Sequence, residues 1–273
     1  MNLHWPPLLR SGTFITGALI VVFWTACAVF GRLLMPFDPF EADILNTLRP
    51  PSAVHWFGTD QLGRDVFSRV VVGARDVLEV APLATLLGVV LGAMLGLVTG
   101  YFRGVVDDII GRVIDALLAL PLVIIALLAL TAIGVSTATV VVVIGGIFSL
   151  VIARTVRAAV LSERDLDYVA AAKLRNEHTM YILLAEILPN VIPPIVVEAT
   201  VRLGYAIFTV ATLSFLGFGI QPPSPDWGLA VSQSYGLING GIWWPVLFNT
   251  LAIASLVIGV NLAADGIQGA FEA

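Results

Sequence analysis

Glu198 and Arg202 stand four residues apart inside an apolar run of a 273-residue chain. On a helix that spacing places both on one face, where they can neutralise each other. Ionisable groups inside a membrane helix are costly and by default mark a pathway or a gate, so a structural pair and a functional one are both open. A second polar concentration, Asp167–Asn190 (DYVAAAKLRNEHTMYILLAEILPN), lies between long apolar runs. A chain this apolar spends such residues where a partner receives them. The stretch reads as two short helices joined by a turn. Ser162-Glu163-Arg164-Asp165 has the form of a capping box, and Ala170-Ala171-Ala172 offers a smooth, low-entropy face. Asn176 falls where the backbone must turn left-handed, and Pro189 closes the second helix after Ile187-Leu188.

The sequence argues against other chemistry. A P-loop needs G-x-x-x-x-G-K-[ST], yet the only lysine, Lys173, follows alanines rather than a Gly-rich turn. Any ATP-driven motor therefore belongs to another polypeptide. His4, His55 and His178 are scattered over three segments, whereas metal ligands must converge. No Ser-His-Asp set or carboxylate pair is spaced for catalysis, so the chain is not expected to be an enzyme. The single Cys27 excludes a disulfide framework and suits packing.

These residues must be positioned by membrane helices. The chain is 58% hydrophobic and 12% charged, with a mean hydropathy of +0.96, against about a quarter charged residues in soluble domains. Charge-free windows mark the spans, since a crossing needs about 20 apolar residues. Residues 11–31 and 80–102 hold one each, and 116–153 is long enough to require two, with a turn near Gly134–Thr137. A fifth starts after Pro193-Pro194 and ends near Gly219; a sixth occupies roughly Trp243–Ala264, with Asp265-Gly266 at its end. Six spans result. The first run lacks a small-residue cleavage site before Arg32 and reads as a retained span.

Orientation follows from the basic residues. Arg10, Arg103, Arg112, Arg154, Arg157, Arg164, Lys173 and Arg175 fall on one side, which the positive-inside rule makes cytoplasmic, together with both termini. The loop 36–75 carries Arg49, Arg64, Arg69 and Arg75 on the other side, but its length weakens its vote. Gly88, Gly92, Gly96 and Gly100 recur every four residues and form a ridge that lets another helix approach closely. Pro82 and Pro121 each remove a helix hydrogen bond and bend their spans. In the outer loop, Thr59 or Asp60 can cap a short interfacial helix through Ser68-Arg69, with Asp65 and Arg69 paired.

The island resembles the cytoplasmic coupling loop of ABC-importer permeases, read as E-A-A, three residues, G, then onward to L-P. Ala171, Ala172, Leu188 and Pro189 match in identity and spacing. Ala170 replaces the family glutamate and Asn176 the glycine; the second change is mild because Asn also tolerates left-handed backbone. The wording FGTDQLGRDVFSR in the outer loop, the stretch Leu213–Gly219 followed by Pro222-Pro223-Ser224-Pro225-Asp226-Trp227-Gly228, and Asn261–Gly266 resemble the C-type permease of bacterial dipeptide, oligopeptide and nickel importers. In order, the resemblance covers roughly 13–268.

That resemblance implies an all-α integral membrane protein with the type I ABC-importer permease fold. It divides the chain into a cytoplasmic N-terminus and first span (1–35), an extracytoplasmic loop with its short helix (36–75), and a core of five spans (76–268) that includes the coupling loop 156–190. Asp167, Tyr168, Ala170, Ala171, Ala172, Asn176, Leu188 and Pro189 would then dock an ATPase. Implied partners are a homologous B-type permease, two cytosolic ATPase subunits or one fused ATPase chain, an extracytoplasmic solute-binding protein and the lipid bilayer, with no nucleic acid. ATP and Mg would be bound by the partners, with no cofactor in this chain. The implied location is the bacterial cytoplasmic (inner) membrane. Peptides are the expected cargo, with nickel or another small solute as the alternative within the family. From another class, an ATP-independent secondary transporter or channel would show internal repeats and midplane charges.

Overall fold

A computed structural model describes residues 11–272, so His4 and Arg10 lie outside the described residues. Among the described residues nine helices carry the architecture: α1 (Gly12–Leu34), α2 (Val66–Phe102), α3 (Gly104–Leu118), α4 (Leu122–Ile133), α5 (Thr137–Glu163), α6 (Asp167–Leu174), α7 (Thr179–Phe215), α8 (Trp227–Ser234) and α9 (Trp244–Glu272). Among the described residues no strand forms, only an isolated antiparallel bridge between Thr59 and Asp65. Helices α1, α2, α5, α7 and α9 are each long and apolar enough to cross a membrane. The pair α3–α4 meets the same test jointly but is bent by 94°, so the count is five, or six where this pair is taken as one span.

Where a straight third span was expected from residue 116 onward, the chain forms this bent pair instead. At about 1.5 Å per residue, the twelve residues of α4 span only about 18 Å, short of a ~30 Å core. Pro121 stands at the break as the N-cap of α4, where its missing N–H costs nothing. The next turn is at Gly134, and Ser136 with Thr139 forms a reciprocal capping box that opens α5.

Three expected helix ends are absent. The interfacial helix is not separate: Asp65 caps it through the Ser68 N–H, and it continues as the first turns of the 37-residue α2. Its burial against neighbouring elements, with Val66, Val70 and Val71 all enclosed, explains why no break occurs before the span. Pro189 does not close the coupling segment, and Pro193-Pro194 do not open a new helix; all three lie within α7. A wide, π-type stretch at Ile182–Ile187 precedes them, which places Pro189 in the opening turn of the regular winding that follows. Gly266 does not end α9 either. A Cβ there would lie 2.5 Å from the Phe14 Cβ, so this glycine allows α1 to approach.

Apolar burial does not draw helices together within lipid, so close backbone approach and polar links must. The Gly ridge supplies the first between α2 and α5, the most extensive helix contact in the fold. A Cβ added at Gly92, Gly96 or Gly100 would fall 2.7, 2.6 or 2.7 Å from the Cβ of Ile152, Val156 or Val160. Indole N–H groups supply the second. Trp24 of α1 donates to Ser255 of α9 at 2.9 Å, Trp227 to the Val70 carbonyl at 2.9 Å, and Trp244 to the Thr59 carbonyl at 3.0 Å.

The segment between α1 and α2 is held by buried charge. Asp60 receives Arg64 Nε at 2.7 Å and lies 3.7 Å from Arg69 Nε. Arg69 does not pair with Asp65. It donates instead to the carbonyls of Pro39 (2.9 Å) and Ser224 (3.1 Å), while Asp65 faces His55 at 2.9 Å. Asp65 is committed to capping Ser68 and its hydroxyl, which removes it from the reach of Arg69.

Candidate functional site

Helix α6 is short because its start and stop are local. Leu166, without a side-chain cap, precedes it; Ser162 and Glu163 instead complete α5, so the expected capping box does not form. Ser162 turns back to the Ala159 carbonyl at 2.7 Å, which removes it as a cap for α6. At the other end Asn176 adopts φ 59°. The Asn176 N–H donates to the Lys173 carbonyl at 3.0 Å and the Glu177 N–H to the Ala172 carbonyl at 3.2 Å, so left-handed backbone satisfies the last carbonyls of the helix.

The alanines divide between two faces. Ala172, with Val169, is fully buried against the rest of the chain. Ala170 and Ala171 are exposed, as is Asp167 at the start of the helix. Around them lie Leu166, Leu174, Met180, Tyr181 and Leu184, all exposed, with Leu174 at 88%. This is an apolar patch bordered by Lys173 and Arg175 on a polar connector. Exposed apolar patches of that kind are where contacts with protein or membrane form. Pro189 is exposed and Leu188 half-buried where the segment enters α7.

Ion pairs hold this surface to the bundle. Arg164 donates to the Tyr101 carbonyl at 2.5 Å and pairs with Asp165 at 3.1 Å, and Arg103 reaches Asp165 at 3.2 Å. Arg164 beside Asp165 holds its carboxyl below the usual carboxylate range. Arg175 clasps Glu186 at 2.8 Å across the turn. Tyr168 donates to Glu163 at 2.7 Å. Burial, with the Glu163 carboxylate, pushes the Tyr168 phenol up to about 12, so it remains a donor throughout the neutral range. These contacts tie the α6 region to the end of α2 and the start of α7.

Glu198 and Arg202 meet: Arg202 Nε donates to Glu198 Oε1 at 2.6 Å, with both side chains mostly buried. The Arg202 guanidinium also lies over the Tyr205 ring, 5.2 Å from its centre. The pair is therefore internally neutralised on α7. Gly88, Gly92, Gly96 and Gly100 are all buried on α2 and lie against α5, away from the coupling surface except at Gly100, whose carbonyl is 3.4 Å from Arg164 Nη1.

One cluster was not singled out from the sequence. Arg157 of α5 binds both oxygens of Asp107 on α3, at 2.5 and 2.6 Å, and Arg154 stands 3.6 Å from Asp115. These residues line a cavity of about 260 Å³ with Asp108 and Arg112. The signal was present: Asp107, Asp108, Arg112 and Asp115 recur on a short amphipathic stretch, facing two arginines three apart on the next long helix. Among the described residues no group of three or more His, Cys, Asp or Glu side chains could hold a metal ion.

Comparison with known proteins agrees with this geometry. Residues 88–273 match the family described as binding-protein-dependent transport system inner membrane component. A dipeptide transport system permease protein DppC of Alkalihalophilus pseudofirmus is 37% identical over 265 residues, 97% of this chain and 87% of that protein. The DppC protein of Bacillus subtilis is 35% identical over 98% of this chain and 84% of its own length. A glutathione transport system permease protein GsiD of Escherichia coli is 36% identical over 98% of this chain and 88% of its own. Among solved structures, a chain of the inward-facing MetNI methionine ABC transporter superposes with a TM-score of 0.60 at 19% identity, covering 74% of this chain and 95% of that one. That structural likeness is one of fold. The chain belongs to the inner membrane components of binding-protein-dependent transport systems, as a multi-pass permease subunit of an ABC importer that works with ATPase and substrate-binding partners.

Proposed function

We propose that this chain is the C-type permease of an importer of di- or oligopeptides and forms one half of the translocation pathway. The relatives named for dipeptide and glutathione transport carry the substrate reading, because each matches nearly the whole chain at 35–37% identity. Glutathione is itself a small peptide, so both names point to one chemical class. The other half of the pathway comes from a homologous B-type permease. Two ATPase subunits, or one fused chain, bind ATP and Mg and dock on the surface around Ala170 and Ala171. An extracytoplasmic binding protein delivers the peptide. Both termini and α6 face the cytoplasm, in keeping with the arginine and lysine distribution.

The Glu198–Arg202 pair acts in this reading as a structural unit of α7, since its charges and the Tyr205 ring satisfy one another. Deleting the gene should abolish uptake of labelled di- or oligopeptides while nickel accumulation stays normal. Normal peptide uptake with lost nickel uptake would overturn the substrate reading.

A further inference from the structure

A cavity of about 520 Å³ opens where the end of α1, the first third of α2 and the segment 38–40 come together. Its walls combine Ala28, Val29, Met35 and Val72 with five charged side chains: Arg32, Asp38, Arg75, Asp76 and Glu79. Two of the carboxylates have local partners. Asp38 accepts from the Phe40 N–H at 2.8 Å, and Asp76 accepts from the Ser224 hydroxyl. Among the described residues Arg32, Arg75 and Glu79 form no ion pair, although Arg75 and Glu79 are four apart on one helix.

The depth of this cavity follows from the sequence. The charge-free run 11–31 ends immediately before Arg32, and the charge-free run of α2 begins immediately after Glu79. Both apolar boundaries therefore meet at the cavity, which lies at the level where hydrocarbon gives way to headgroups. Gly31 closes its floor, with a built Cβ 3.4 Å from the Val71 carbonyl. The side of α1 that leads into it is apolar and exposed at Leu19, Val22, Phe30 and Val29, the last at 67%. Acyl chains can lie along that side while a headgroup occupies the charged end.

We infer that this cavity binds the headgroup of a zwitterionic phospholipid with a primary amine, of the phosphatidylethanolamine type. Arg32 and Arg75 take the phosphodiester, since guanidinium groups match phosphate oxygens in charge and fork geometry. Glu79, with Asp38, takes the ammonium. A purely anionic headgroup would leave Glu79 facing like charge, and a solvated surface patch would not need apolar walls that continue down α1. The assignment does not depend on which side of the membrane the site faces.

The test uses the assembled importer purified in detergent and washed free of loosely held lipid. Mass spectrometry should find phosphatidylethanolamine retained in preference to phosphatidylglycerol and phosphatidylcholine. Adding back short-chain phosphatidylethanolamine should raise the thermal midpoint more than the other two headgroups do. The Arg32→Gln/Arg75→Gln variant should lower retention about tenfold, the effect of losing charge-assisted contacts. Glu79→Gln should retain lipid but lose the preference for the primary amine. If the arginine variant does not assemble, the add-back series on the unmodified importer decides alone, and equal response to all three headgroups overturns the proposal. Equal retention by variant and parent overturns it as well. Equal protection by soluble phosphoethanolamine or inorganic phosphate would show a site for a free anion instead. Unchanged lipid retention with weakened capture of the solute-binding protein would assign the surface to that protein.

Discussion

Arg157 grips Asp107 through two parallel hydrogen bonds, Nε to Oδ1 at 2.5 Å and Nη2 to Oδ2 at 2.6 Å. It thereby ties the front half of the bent α3–α4 pair to the long helix α5. Asp107 is buried, while the Arg157 side chain remains 39% exposed, so water screens part of the attraction. Asp107→Asn should therefore lower stability by about 1–2 kcal/mol, below the cost of breaking a fully buried pair. Thermal unfolding of the assembled importer measures this, with the exchanged pair Asp107→Arg/Arg157→Asp recovering part of the loss. Parent-like unfolding of the single variants would remove the link from α3.

The glycine ridge gives a steric prediction. Gly92→Val places methyl groups where Ile152 already sits, since even a Cβ would be 2.7 Å from the Ile152 Cβ. Overpacking should cost about 1–3 kcal/mol, and truncating the neighbour with Ile152→Ala should recover part of it. Gly111, with nothing within 4 Å of its built Cβ, is the control: Gly111→Ala should not lower stability and should raise it by up to about 1 kcal/mol through helix propensity. Unfolding midpoints in one detergent compare the three variants with the parent.

The coupling surface predicts different outcomes for adjacent alanines. Ala171→Arg alters an exposed site, so the chain should insert and express normally while ATPase co-purification or transport-coupled hydrolysis falls. Ala172→Arg buries an unpaired charge at a fully enclosed position and should reduce the amount of folded protein itself. Normal coupling with Ala171→Arg at normal expression would show that the ATPase docks elsewhere.

Asn176 gives a test of backbone rather than contact. At φ 59°, Asn176→Gly should be tolerated, whereas Asn176→Val should cost about 1–2 kcal/mol, because a β-branched residue resists left-handed backbone. Protease sensitivity of the turn between α6 and α7 reports the difference. Equal resistance in the Gly and Val variants would place the strain elsewhere.

Asp226 predicts a pH dependence. It caps α8 through the Leu229 N–H at 2.8 Å, and among the described residues its second oxygen has no hydrogen-bond partner. Burial pushes its carboxyl up to about 6, against roughly 3.9 when unfolded. Between these values the folded state holds the additional proton, so this residue's contribution falls as pH rises from about 4 to about 6 and is constant above. Asp226→Asn keeps a good cap and removes the desolvated charge. Its thermal midpoint should exceed the parent's at about pH 7 and converge with it near roughly pH 4. A gap of constant size across that range would rule out the buried charge as its source.

The membrane class, five of the apolar spans, the turn at Gly134 and the left-handed residue at Asn176 were legible in the chain itself, because each rests on local chemistry. A charge-free window must satisfy its own backbone, and a left-handed position accepts few residues. The short helix of small residues and its closing turn were equally legible. Helix ends were less so. Proline at 189, 193 and 194 reads as punctuation, yet α7 runs through all three, with Pro189 in the opening turn after the wide stretch Ile182–Ile187. Only the folded chain could show that Ala172 points inward and Ala171 outward, since three consecutive alanines carry no sidedness of their own. The same holds for charge partners. Arg69 has Asp65 one helical turn away but bonds to Pro39 and Ser224. Arg157 finds Asp107, fifty residues earlier in sequence, because α3 folds back beside α5. Local spacing offers a charge its nearest candidates; tertiary structure decides which of them is desolvated and within reach.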